Sequence, residues 1–145
     1  MSEKQRLLDA EAAGWRELAA RLDKLAGDDW VRPGVNGEWN AKDLLAHIAM
    51  WHAHTTDRLE SLRVTGELPP VPDVDAFNLD QLQRNRDLSL HEVQAMSGAS
   101  RHRFREEIEL LADDPGERLR QIVEGNAHGH YDEHMPHLDA FLGVS

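Results

Sequence analysis

This chain contains no cysteine among its 145 residues. Disulfides, a thiolate zinc site and a cysteine nucleophile are therefore excluded, and any tightly held transition metal has to use histidine and carboxylate. Positive charge is scarce as well. Sixteen Lys plus Arg against 27 Asp plus Glu leave a formal net charge of −11. A surface of that sign repels phosphate and argues against nucleic acid or an anionic membrane as partner. The acid excess reads as solubility. Nothing approaches the roughly 20 consecutive apolar residues needed to span a bilayer. The N-terminal stretch "MSEKQRLLDAEAAGW" is charged and lacks the apolar core of a signal peptide, so a cytoplasmic protein is expected. Sustained apolar–polar alternation, the mark of half-buried strands, is absent, as are internal repeats and low-complexity segments.

What is present is helical spacing. The composition, 40% hydrophobic and 30% charged, is that of an ordinary globular chain, and the length suits one domain over residues 1–145. Leu8, Ala12, Trp15, Leu18, Leu22 and Leu25 step by three or four and predict a first amphipathic helix ending near Gly27. "GDDWVRPGVNGEW" then reads as a loop carrying Trp30 and Trp39. In "EWNAKDLL", Asn40 is a good N-cap, Asp43 favours the helix N-terminus, and Trp39 with Leu44 forms a hydrophobic staple. The apolar stripe of this second helix runs through Leu44, Ile48, Trp51, Thr55, Leu59 and Leu62 and stops at the Pro-rich "TGELPPVPDVD". A short third helix is expected over 75–87. Ser89 and Glu92 make a capping box for a fourth, with Val93, Met96, Ser100, Phe104, Ile108 and Leu111 on its stripe. A last helix is expected to run unbroken from near Glu117 to Phe141. The prediction is all-α: a four-helix bundle with one extra short helix.

Four of the nine histidines crowd into "GNAHGHYDEHMPH", residues 125–137. At about 100° per residue, the stripe of the last helix passes through Asn126, His130, Glu133 or His134, and His137, while His128 points about 180° away and is expected at the surface. A core stripe that turns polar needs partners, because an unpaired buried group costs about 1–3 kcal/mol. His130 and His134, four apart, can share one metal ion; the simpler reading is a pair of core histidines bonded to carbonyls or carboxylates. A third ligand has to come from another helix. His52 lies about 55° from the stripe centre of the second helix, His47 about 85°, and His54 further out. Periodicity leaves that choice open and leans slightly to His52.

"EWNAKDLLAHIAMW", residues 38–51, resembles the W-s-x-K-D-x-L-x-H-x-x-x-W signature of the DinB-like superfamily. "HGHYDEHMPHL", residues 128–138, is similar to its H-Y-x-E-H closing motif. The intervening "DAFNLDQLQRNRDLSLHEV" resembles the ClbS/DfsB and mycothiol-dependent maleylpyruvate isomerase-like branches. The likeness covers nearly the whole chain, with the motifs in the expected order. It implies that His47, His130 and His134 bind one divalent metal, and so favours His47 over His52. Gly129 stands where family members often carry a bulkier residue, and His52, His54, His128 and His137 lie outside the motif.

Three neutral imidazoles leave a divalent ion its full charge and an open position, able to polarise a carbonyl or lower the pKa of water towards about 7. The resemblance implies a further role, holding a substrate thiolate. With no cysteine in the chain, that thiol has to arrive as a low-molecular-weight cosubstrate. Zinc or nickel is expected before others, since imidazole ligands suit both. Glu133 reads as an orienter of the ligands, a general base, or simply a solvated carboxylate; Tyr131 reads as a core residue with a bonded hydroxyl. No catalytic residue is assigned and no organic cofactor is implied. Two functions compete: a metal-dependent enzyme acting on a small molecule, and a protective protein that sequesters a compound or ion. A homodimer is expected on the resemblance.

Overall fold

The computed structural model describes residues 1–143. It contains α1 (Glu3–Leu22), a 3₁₀ turn (Gly27–Val31), α2 (Ala41–Thr65), α3 (Val74–Asn85), α4 (Leu90–Glu109), α5 (Glu117–Asn126) and α6 (His128–Leu142), with no strand among the described residues. The helix starts are chemically marked. The Ser2 hydroxyl accepts from the Gln5 N–H at 3.1 Å. At α2 the Asp43 N–H donates to Asn40 Oδ1 at 2.7 Å and the Asn40 N–H to Asp43 Oδ2 at 3.1 Å, a reciprocal box. Ser89 and Glu92 repeat it at α4. α2 ends on Gly66, whose φ of +80° is open to glycine at little cost.

The bundle is α1, α2, α4 and the α5–α6 pair. α2 packs chiefly on α4, and α1 on α6. The short α3 lies on α2 and buries none of its residues fully. Two apolar clusters fill the centre. One gathers Leu18, Leu44, Leu45, Ile48, Val93, Tyr131 and Leu138; the other gathers Leu7, Leu8, Leu59, Phe104, Ile108 and Val123. Each fully buried aliphatic side chain contributes about 1.5–3 kcal/mol. His52 links the two clusters, stacked on Phe104 at 4.8 Å and bonded to Tyr131.

The last helix is not continuous. At Ala127 (φ −114°, ψ −121°) the chain leaves helical geometry and re-enters it one residue later. Gly125, Asn126 and Gly129 around the break are weak helix formers. The restart brings the backbone close: a Cβ on Gly129 would lie 2.7 Å from the Glu124 carbonyl oxygen. The break also corrects the expectation for His128. Counting 100° steps across it places that ring in solvent, whereas His128 is half-buried, with its Cβ over Gly14 and its Nδ1 sealed from water.

Candidate metal centre

Two elements bring the site together. The cap at Asn40 fixes the start of α2 and sets His47 two turns in; the Ala127 break sets the first turns of α6, which carry His130 and His134 on one face. His47 Nε2 stands 3.0 Å from His130 Nε2, and His134 Nε2 stands 3.1 Å from the same atom. The candidate ligand atoms of the three lie within 4.8 Å of one another. The residues joined by the resemblance are thus neighbours in space. His52 is not among them: its Nε2 meets the Tyr131 hydroxyl at 2.7 Å instead.

Burial holds these rings neutral. Loss of solvent, then the neighbouring His134, lowers the pKa of His47 to about 4. Burial and the facing His47, His134 and His52 take His130 to about 2, and burial with His137 takes His134 to about 4. At neutral pH the imidazoles therefore carry lone pairs and not charges, the state a metal requires. Two Nε2–Nε2 approaches near 3 Å are unfavourable between bare lone pairs, so the cluster needs protons or a cation among its nitrogens. The other ring nitrogen of His130, Nδ1, is buried with no partner among the described residues. The donor set and the spacing fit a divalent ion.

The surroundings orient the rings. His134 Nδ1 faces His137 Nδ1 at 3.2 Å. If His134 turns its Nε2 lone pair to the centre, its Nδ1–H donates to His137, whose own proton then sits on Nε2. Trp39 packs on His47 with ring centroids 4.9 Å apart.

Above the three histidines opens a cavity of about 410 Å³, walled by Trp39, Trp51, Asn36, Asn78, Asn126 and Glu133 among others. Trp51 donates its indole N–H to Asn78 Oδ1 at 2.8 Å, tying α3 to α2, and the Asn78 amide nitrogen has no partner among the described residues. Trp51 is both core and cavity wall, a double role its place on the stripe does not reveal. Glu133 is exposed and makes no ion pair among the described residues.

Beside the centre lies a buried ionic network. Glu11, fully buried on α1, accepts from Arg101 Nε and Nη2 at 2.8 Å each, from Arg105 Nη1 at 2.6 Å and from the Tyr131 hydroxyl at 2.8 Å. Burial alone would raise its pKa; the bonds from Arg101, Tyr131 and Arg105 outweigh it and hold the carboxylate below its ordinary range. The Tyr131 proton points to Glu11, so His52 donates its Nε2–H to Tyr131, and its Nδ1 is left bare and sealed. Tyr131 is thus the core residue with a bonded hydroxyl that the sequence suggests. Glu11 sits between Leu8 and Trp15 on the buried stripe of α1, the one local hint of its role; its arginine partners lie about 90 residues away.

Residues 12–133 match the family described as the mycothiol maleylpyruvate isomerase N-terminal domain, and the match ends one residue short of His134. No curated protein and no solved structure gave a match to the chain. With a helical bundle, the two motifs and a family match over most of its length, the chain belongs to the mycothiol maleylpyruvate isomerase N-terminal domain family, within the DinB-like superfamily.

Proposed function

We propose that His47, His130 and His134 hold one divalent metal ion, zinc or nickel before others. With it the protein acts on a small molecule, by thiol-dependent transfer or isomerisation or by hydrolysis of a reactive electrophile. The observation that carries this reading is the convergence of three Nε2 atoms, on rings held neutral, at a cavity large enough for a small organic ligand. The family's name supports a thiol among the substrates.

Such an ion supplies Lewis acidity to a thiol or carbonyl placed over it. The chain's own residues bind and orient. Trp39 and Trp51 give apolar faces that exclude water from one side of the cavity, while Asn36 and the amide nitrogen of Asn78 suit hydroxyl or amide groups on a polar thiol. Glu133 on the wall is the group positioned to take up a proton from an incoming thiol. An open cavity with an acid–base residue on its wall favours turnover over sequestration in a closed site.

Metal analysis of purified protein tests the core of the proposal. About one equivalent is expected, with affinity falling by orders of magnitude in His47→Ala, His130→Ala and His134→Ala. His52→Ala and His128→Ala should bind nearly as wild type once circular dichroism shows them folded. Protein that carries no metal and takes none up sinks the reading. Binding abolished by His52→Ala but not by His47→Ala would overturn the ligand assignment.

A further inference from the structure

A second cavity, of about 210 Å³, opens between α1 and α4. Leu45 lines it, whereas His47 lines the first; residues two apart on a helix point about 200° apart, so α2 separates the two cavities. Trp15 and Leu22 of α1, Trp30 of the 3₁₀ turn, and Ser97 and Gly98 of α4 shape the second one.

Three features distinguish it from a packing gap. Trp15 is a fixed platform, its ring against the edge of Tyr131 at 5.4 Å and under the Arg101 guanidinium at 4.9 Å. Ser97 is only 3% exposed, yet its hydroxyl has no partner among the described residues. It does not use even the carbonyl one turn back, where Thr56 and Thr65 send theirs. The indole N–H of Trp30, on a residue 8% exposed, is likewise unpartnered. Neither atom belongs to the sealed, unpartnered set of the core, and both residues line the cavity. Each atom can therefore be reached from the cleft, by water or by a bound molecule that offers an acceptor.

Size and charge define what that is. An apolar cavity of about 150 Å³ holds benzene, and drug-sized ligands need about 300 Å³ or more, so this one takes a single ring system with a small substituent. Asp23 on the wall disfavours an anion. Gly98 leaves the cleft open, since a Cβ there would meet nothing within 4 Å.

We propose that this cleft binds a small neutral aromatic molecule carrying one hydrogen-bond acceptor, its ring against Trp15 and Trp30 and its acceptor on the Ser97 hydroxyl. The site is independent of the histidine centre.

Acetophenone, an aryl ketone, is a suitable probe, with isopropylbenzene as its counterpart lacking the acceptor. In ¹H–¹⁵N spectra the four tryptophans give four indole signals. Acetophenone should shift those of Trp15 and Trp30 saturably and leave those of Trp39 and Trp51 in place. Gly98→Leu should fill the cleft and abolish both shifts while melting no lower than wild type, because it also removes a glycine from a helix interior. Ser97→Ala should weaken acetophenone about five-fold, the effect of one hydrogen bond, and leave isopropylbenzene unchanged. The proposal is overturned if no saturable shift occurs up to about 10 mM, a weak-binding limit. It is equally overturned if the shifts persist in folded Gly98→Leu, or if Ser97→Ala affects both probes alike.

Discussion

Replacing Glu11 by Gln tests the buried network directly. The change keeps the shape of a fully buried side chain and removes its charge, leaving Arg101 and Arg105 without their carboxylate and turning an amide N–H₂ towards a guanidinium donor. Removing one partner of a buried ion pair costs about 3–5 kcal/mol. Both arginine side chains are about a quarter exposed and can recover some hydration, so about 3 kcal/mol is expected. At about 2–4 °C per kcal/mol for a chain of this size, the melting temperature should fall by about 6–12 °C. Urea unfolding should show a lower midpoint with an unchanged slope, the sign of a stability change alone. The pH dependence gives a second check. Glu11 has a lowered pKa in the folded state, so its contribution is complete above its unfolded value of 4.5 and is lost as pH falls through the folded one. The gap between wild type and Glu11→Gln should therefore be widest near pH 7 and close below about 4.5. In a double-mutant cycle with Tyr131→Phe the two effects should be non-additive, because the two residues share a hydrogen bond. A Glu11→Gln protein within about 0.5 kcal/mol of wild type at pH 7, the range of a neutral surface change, would refute this account.

Gly129→Ala should destabilise by about 1–3 kcal/mol, as overpacking does, because its Cβ would lie 2.7 Å from the Glu124 carbonyl oxygen; a raised melting temperature would mean that helix propensity outweighs the clash. Metal-free protein should lose stability as pH falls from about 6.5 towards 4. His47, His52 and His134 have folded pKa values near 4 and His130 lower still, so the unfolded chain takes up protons first; a flat melting temperature across that window contradicts it. On the family resemblance a homodimer is expected, and light scattering should return about twice the 16.4 kDa chain mass; the monomer mass across micromolar concentrations would exclude it.

The helices and their starts were legible in the sequence because their causes are local. The 3.6-residue stripe of α2, the Asn40–Asp43 and Ser89–Glu92 boxes and the proline loop after Gly66 act within a few residues, and the structure reproduces each. His130 and His134 were legible as a pair for the same reason, since four residues make one turn. The third member was not, because His47 and His52 lie on the same helix at comparable angles and only the placement of α6, through its packing on α1 and α5, decides which ring meets His130. It turns His47 to the cavity and His52 towards Tyr131. Tertiary structure also decided the outcome of the break at Ala127, after which His128 lies inward against Gly14 of α1. The same holds for the ionised Glu11. One chain position cannot announce a buried charge whose two arginine partners lie about 90 residues away, and only the closing of α1 on α4 and α6 makes that carboxylate an anchor.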